Sequence, residues 1–198
     1  MAKKGVALLS LLCVVLTCNG GITTNIVTMR DFKDFVNNVN NGTSYASTTV
    51  MLNIDIDMED YPGSFEPIGR EEGDVSSSFD GAFYGRGHVV SNLNISSDKY
   101  RSLGLFGLSK GSSIYGLIID RSCSFENKFS SNGNSVPIST GSILGHCVST
   151  DGDCIIGNCV NTAAITHTGT GTDNIYLGGI VGSLRPDNNS TQVHNCVN

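Results

Sequence analysis

With 18 acidic and 12 basic side chains, the 198-residue chain carries a formal charge of −6, and its basic residues are scattered with no stripe of interleaved aromatics. That distribution argues against a nucleic-acid partner. Charged residues make up only 15% of the chain against 24 glycines, which disfavours a helical bundle or charged disorder and suits one domain of many short strands joined by polar turns.

Lys3 and Lys4 followed by an apolar run over residues 6–18 have the layout of a secretory signal peptide spanning 1–20. Small residues Cys18 and Gly20 are placed for cleavage before Gly21. The run is too short to span a bilayer. An uncleaved anchor or a buried core segment is the competing reading, and lipoprotein attachment at Cys18 has Thr17 where a small residue is wanted. Removal of the leader leaves a charge near −8 and no transmembrane helix, and places the chain outside the cell or on its surface. Residues 21–49 are then an N-terminal cap. Within it, Thr28 as N-cap, Asp31 three residues on, and Phe32, Phe35, Val36 and Val39 on one face predict an amphipathic helix over about 28–40, stopped by Asn40-Asn41-Gly42.

From 50 to 58 apolar and polar residues alternate, with Leu52, Ile54, Ile56 and Met58 on one face and Asn53, Asp55 and Asp57 on the other, which predicts a single half-buried strand. Tyr61-Pro62-Gly63 turns the chain, 65–69 resumes it, and 70–78 reads as a charged loop. Alternation returns at 79–87, with Phe79 and Phe83 on one side, and 88–95 reads as the next strand.

Repeats then dominate. Gly104-Leu105-Phe106-Gly107 recurs as Gly141-Ser142-Ile143-Leu144-Gly145 and Gly178-Gly179-Ile180-Val181-Gly182. A second signature aligns as Val90-Ser91-Asn92-Leu93, Ile114-Tyr115-Gly116-Leu117, Ile156-Gly157-Asn158-Cys159 and Val193-His194-Asn195-Cys196, at intervals of 24, 42 and 37 residues. Surplus length falls in polar loops at 121–140, 148–153 and 166–174. Units too poor in apolar residues to bury a core alone must stack. The expectation is an all-β fold, a parallel β-helix (β-solenoid) over 50–198 with an N-terminal capping helix. Its columns are Val90/Ile114/Ile156/Val193 and Leu93/Leu117/Cys159/Cys196, with Asn92, Gly116, Asn158 and Asn195 at a bend. The chain stops inside a signature, which predicts truncation at the C-terminus.

These motifs, with the run from Thr28 to Ile95 before them, resemble the GLUG-motif repeats of secreted and surface proteins, among them adhesin-like, IgA-peptidase-associated and protist surface proteins. The likeness covers about residues 26–198. It implies a right-handed β-helix and a surface, adhesin-like role, and it supplies no catalytic residues. Tyr84, where Asp is commoner, and Gly141-Ser142-Ile143, without the second Gly, depart from the pattern.

Candidate chemistry is sparse. Asp55 and Asp57, with Asp60 nearby, are oxygen donors suited to Ca²⁺; the competing reading is an exposed strand face. Five cysteines remain after the leader. Cys147 and Cys154 bracket a turn and are candidates for a disulfide in an exported chain. Cys159 and Cys196 stack as thiols, or bond if their separation suits. His146 with Cys147, Cys154 and Cys159 matches no standard zinc spacing. Asn41, Asn94, Asn188 and Asn189 head N-glycosylation sequons. Tyr84, Tyr115 and Tyr176 are candidates for stacking on sugars or are ordinary surface aromatics. There is no G-x-S-x-G elbow, and no cofactor is implied. Three functions stay open: a secreted or surface binding module for an extracellular glycan or protein, a polysaccharide-acting lyase or hydrolase, and a structural stalk of a larger surface protein.

Overall fold

The computed structural model describes residues 21–198 apart from 73, 74, 132, 134, 135, 150, 151 and 188. The expected signal peptide and the Asn188 sequon lie outside the described residues. The described residues are strand-rich, with parallel sheets and, among them, no closed barrel. Among the described residues no helix is long and apolar enough to cross a membrane.

Five parallel sheets carry the fold. Sheet I stacks Ile22–Ile26, Thr48–Leu52, Ala82–Tyr84, Ser113–Tyr115, Cys154–Gly157 and Thr191–His194 in that order. Sheet II holds Phe106–Lys110, Leu144–Val148 and Val181–Arg185. Sheet III holds Ile56–Asp57, Val89–Ser91, Ile118–Ile119 and Val160–Asn161. Sheet IV holds Asn94–Ser97, Ser124–Asn127 and Ala164–His167, and sheet V Ser102–Leu103, Ile138–Gly141 and Ile175–Gly178. From residue 106 onward the chain visits sheets II, I, III, IV and V in one repeated order. Each strand pairs in parallel with its counterpart one circuit earlier. Each circuit therefore adds one layer.

The helix α1 (Met29–Asn40) forms where its signals are local. Thr28 Oγ1 accepts from Asp31 N–H, and Asp31 Oδ2 accepts from Thr28 N–H at 2.8 Å, a reciprocal capping box. Its buried face, Phe32, Phe35, Val36 and Val39, lies on the core. Phe35 meets Phe79 and Phe83 at ring separations of 5.7 Å each, and Phe106 completes the cluster at 5.2 Å from Phe79 and 5.3 Å from Phe83. All four rings are almost wholly inaccessible, and burial of each contributes about 1.5–3 kcal/mol.

The glycine row explains the tetrapeptide. Sheets II and V approach backbone to backbone at Gly107, Gly145 and Gly182. A Cβ on Gly145 would sit 2.6 Å from Leu103 N, and one on Gly182 2.5 Å from Thr140 N.

Several expectations change. The 50–58 run is two strands: the chain leaves sheet I after Leu52 and enters sheet III at Ile56, then forms a short 3-10 helix at Met58–Asp60. Inward alternation survives the bend, so period alone does not reveal it. The 88–95 run likewise breaks at Asn92, whose φ is +58°. The expected loop at 70–78 contains an antiparallel hairpin, Arg70–Glu72 with Val75–Ser77, and 121–140 contains strands of sheets IV and V. The first column was misaligned. Val90 pairs with Ile56 and Ile119 in sheet III, and Leu93 lies one residue before the Asn94–Ser124 pair, level with Cys123. The true column is Val50, Phe83, Ile114, Ile156 and Val193, at intervals of 33, 31, 42 and 37 residues. Leu117, Cys159 and Cys196 do stack, as the flanking pairs Ile118–Val160 and Val160–Val197 require. The bend expected there carries Gly116, Asn158 and Asn195 at φ +66°, +55° and +52°.

Candidate binding groove

Beyond the glycine row, alternate residues of sheet II turn outward. Leu108 and Lys110, His146 and Val148, Ser183 and Arg185 form the floor of an open groove of about 850 Å³. The intervening Ser109 and Cys147 turn inward and are fully buried. Glu71 and Ser76 on the hairpin contribute one wall, and Val136, Pro137 and Tyr176 from the sheet V side contribute the other. The floor is ruled by register: Leu108, His146 and Ser183 form one row across the strands, and Lys110, Val148 and Arg185 the next.

His146 stands at the centre of its row, between Leu108 and Ser183. Burial, the largest cause, pushes its pKa below the ordinary imidazole value. Arg185 acts in the same direction, while Glu71 and a backbone contact at Ser183 oppose. Its Nδ1 is buried and has no hydrogen-bond partner among the described residues. Among the described residues Lys110 makes no ion pair, and Arg185 pairs through Nε with Asp187 at 3.2 Å. Convergent polar groups on an open, partly apolar floor are the properties of a binding site.

A second exposed feature lies on sheet I. Tyr84 and Tyr115 stack at 5.3 Å with 21° between their planes, and His194 reaches Tyr115 at 6.1 Å over Gly157. A Cβ at Gly157 would meet both rings at 2.7 Å.

The residues singled out from sequence fall elsewhere. Asp55 Oδ1 accepts from Val89 N–H and lies 2.9 Å from His88 Nδ1, while Asp57 Oδ1 accepts from Asn92 Nδ2 at 2.8 Å and Glu59 N–H at 3.1 Å. These bonds lower both carboxyl pKa values, the Val89 amide being the largest cause for Asp55 and the Asn92 amide for Asp57. The two carboxylates clip one layer to the next. Among the described residues no group of three or more His, Cys, Asp or Glu is arranged to hold a metal ion. Cys147 and Cys154 form a disulfide with Cα atoms 6.5 Å apart, which removes both sulfurs from the zinc set with His146 and Cys159. Cys159 and Cys196 are free thiols in adjacent layers. Cys159 is buried, its pKa pushed up to about 11 chiefly by burial, and Cys196 is half-buried rather than enclosed. Asn41 is exposed at the C-cap of α1. Asn94 accepts from Ser124 Oγ, and Asn189 donates to Ser149 O at 2.9 Å.

Lys110 and Arg185 were not singled out from the sequence. They become visible only when the glycine rows are aligned, which places them at equivalent positions two layers apart. Compared with family models, with curated proteins and with solved structures, the chain matches none.

Proposed function

We propose that this chain is a secreted or surface-displayed, adhesin-like binding module that holds an extracellular glycan or protein in the groove on sheet II and has no catalytic activity of its own. The observation that carries this reading is the groove, whose floor is built from equivalent positions of three stacked strands. On this reading the layers form a right-handed parallel β-helix capped at its N-terminal end by α1. The cyclic order of sheets supports a coil, the general right-handedness of parallel β crossovers supports that hand, and the likeness of the repeats to the GLUG pattern supports that family. The layout of residues 1–20 supports export.

Glycan-array and cell-binding assays on the exported chain test the reading. Val148 sits mid-floor, so Val148→Trp fills the groove and is expected to abolish binding without lowering the melting temperature. A chain that binds no glycan and no cell-surface protein, or a Val148→Trp variant that binds normally, overturns it. One observation favours an alternative, a polysaccharide-acting lyase or hydrolase: Glu71 acts electrostatically on His146, so an acid and an imidazole share the groove. New chain ends appearing in purified polysaccharide would decide for that alternative.

A further inference from the structure

We propose that the groove takes an anionic glycan, laid across the strands of sheet II, whose carboxylate or sulfate groups are read by Lys110 and Arg185. The inference rests on the binding-module reading and names its ligand class. Lys110, Val148 and Arg185 share one register row, so the cations flank an aliphatic side chain with two interstrand steps between their backbones, about 10 Å. A sugar chain lying along the row spans roughly a disaccharide between the two charges, with Val148 under a sugar face.

Both cations have donors to spare. Lys110 is exposed and has no acidic partner among the described residues. Arg185 is exposed and engages Asp187 through Nε, which leaves its terminal nitrogens for a planar contact with carboxylate or sulfate. The neighbouring row adds no charge near neutral pH. Leu108 and Ser183 are uncharged, and burial holds the His146 imidazole neutral, so this row suits sugar hydroxyls. Glu71 is the acidic side chain lining the groove among the described residues, and it stands on the hairpin wall rather than the floor. In a chain of net charge −6, the floor itself carries two cations and no acid, the nearby carboxylates being Glu71 on the wall and Asp187 beside Arg185, so an anion laid on the floor meets cationic groups first.

The full chain is tested by isothermal titration against polygalacturonate, dextran sulfate and uncharged dextran, at low and high salt. A polyanion is expected to bind, more weakly as salt rises, while dextran does not. The ranking of polygalacturonate against dextran sulfate distinguishes a carboxylate from a sulfate ligand. Lys110→Ala and Arg185→Ala should each weaken binding about tenfold or more. Glu71→Gln should tighten it, and Lys99→Ala, an exposed cation away from the groove, should leave it unchanged. All these sites are on the surface, and unchanged melting temperatures confirm folding. Full binding by the Lys110→Ala/Arg185→Ala double variant overturns the proposal. Binding of dextran in preference to both polyanions also overturns it but leaves the groove as a glycan site. Failure of all three probes, together with a blank glycan array and no cell-surface binding, removes the binding-module reading as well.

Discussion

Ser109 lies in register with Cys147 across sheet II, and Ser112 holds the position in its own layer that Cys154 holds in the next. Both serine hydroxyls are buried and have no hydrogen-bond partner among the described residues. The corner closed by a disulfide in one layer is thus left open by a serine pair in the layer before it. Because the two pairs are related by a one-layer shift, their Cα separations should be alike, near the 6.5 Å of Cys147 and Cys154, which lies within disulfide range. Ser109→Cys/Ser112→Cys is expected to form a second disulfide on oxidative refolding. A thiol count under denaturing conditions checks this, and two additional free thiols would show the layer register to be wrong. Conversely, Cys147→Ser/Cys154→Ser should cost about 2–3 kcal/mol in urea unfolding.

Phe106 sits between Phe79 and Phe83 with no solvent access. Phe106→Ala should cost about 3–5 kcal/mol, read as a lower urea midpoint. Phe106→Asp puts a carboxylate between two rings with no partner, and the cooperative transition should disappear. A folded Phe106→Asp protein would mean that the core has been assigned to the wrong residues.

Gly145→Ala sets a Cβ against the Leu103 and Gly107 backbones at 2.6 and 2.7 Å. Leu103 cannot yield without parting sheets II and V, nor Gly107 without parting adjacent strands of sheet II, so a loss of about 1–3 kcal/mol or more is expected. Gly152→Ala is the matched control, since its Cβ finds ordinary contact at 3.4 Å and its φ is not in the left-handed region. Equal chemical-denaturation midpoints for the two variants would contradict the close approach of the sheets.

His146 makes a pH-dependent contribution. Its folded pKa lies below the unfolded value of about 6.5. As pH falls through 6.5 the unfolded chain takes up a proton that the native chain does not, so stability falls until the folded pKa is reached and recovers as pH rises. Glu71, Lys110 and Arg185 share the groove with it. His146→Asn should flatten the melting temperature between about pH 5 and 7, and an unchanged slope would show that the imidazole is not held neutral. Asp55 and Asp57 act lower on the scale. Their depressed pKa values give stability that is present above about 3.9 and is lost as pH falls through the folded values.

Local signals were legible from sequence and layer register was not. Thr28, Asp31 and the Phe32/Phe35/Val36/Val39 face specify α1 within a dozen residues. The repeated glycines mark sheet II correctly, because close backbone approach demands the same residue in every layer. Val90-Ser91-Asn92-Leu93 imitates the second signature, whereas its true counterpart, Phe83-Tyr84-Gly85, has an aromatic at the core position. That layer also has two more residues than the next at the corner leading to sheet III. Nothing local separates the two candidates; the stacking of Phe83 on Ile114 does. The groove was hidden for the same reason. Lys110, His146 and Arg185 come together only through the stack, and in the sequence His146 stands out only beside Cys147, Cys154 and Cys159 as a metal-ligand type.

The unequal intervals along the Val50-to-Val193 column have a practical consequence. Stacking is set by in-layer rows of glycine and apolar residues, while the connections differ in length from circuit to circuit. The stretch 168–174 before Ile175–Gly178 leads directly to Tyr176 at the groove wall. Thr170, Thr172 and Asp173 tie that stretch to Ser130, Ser131 and Arg101 of the layer before it, so foreign peptide inserted with those three residues retained would be displayed beside the groove while the stack still sets the register.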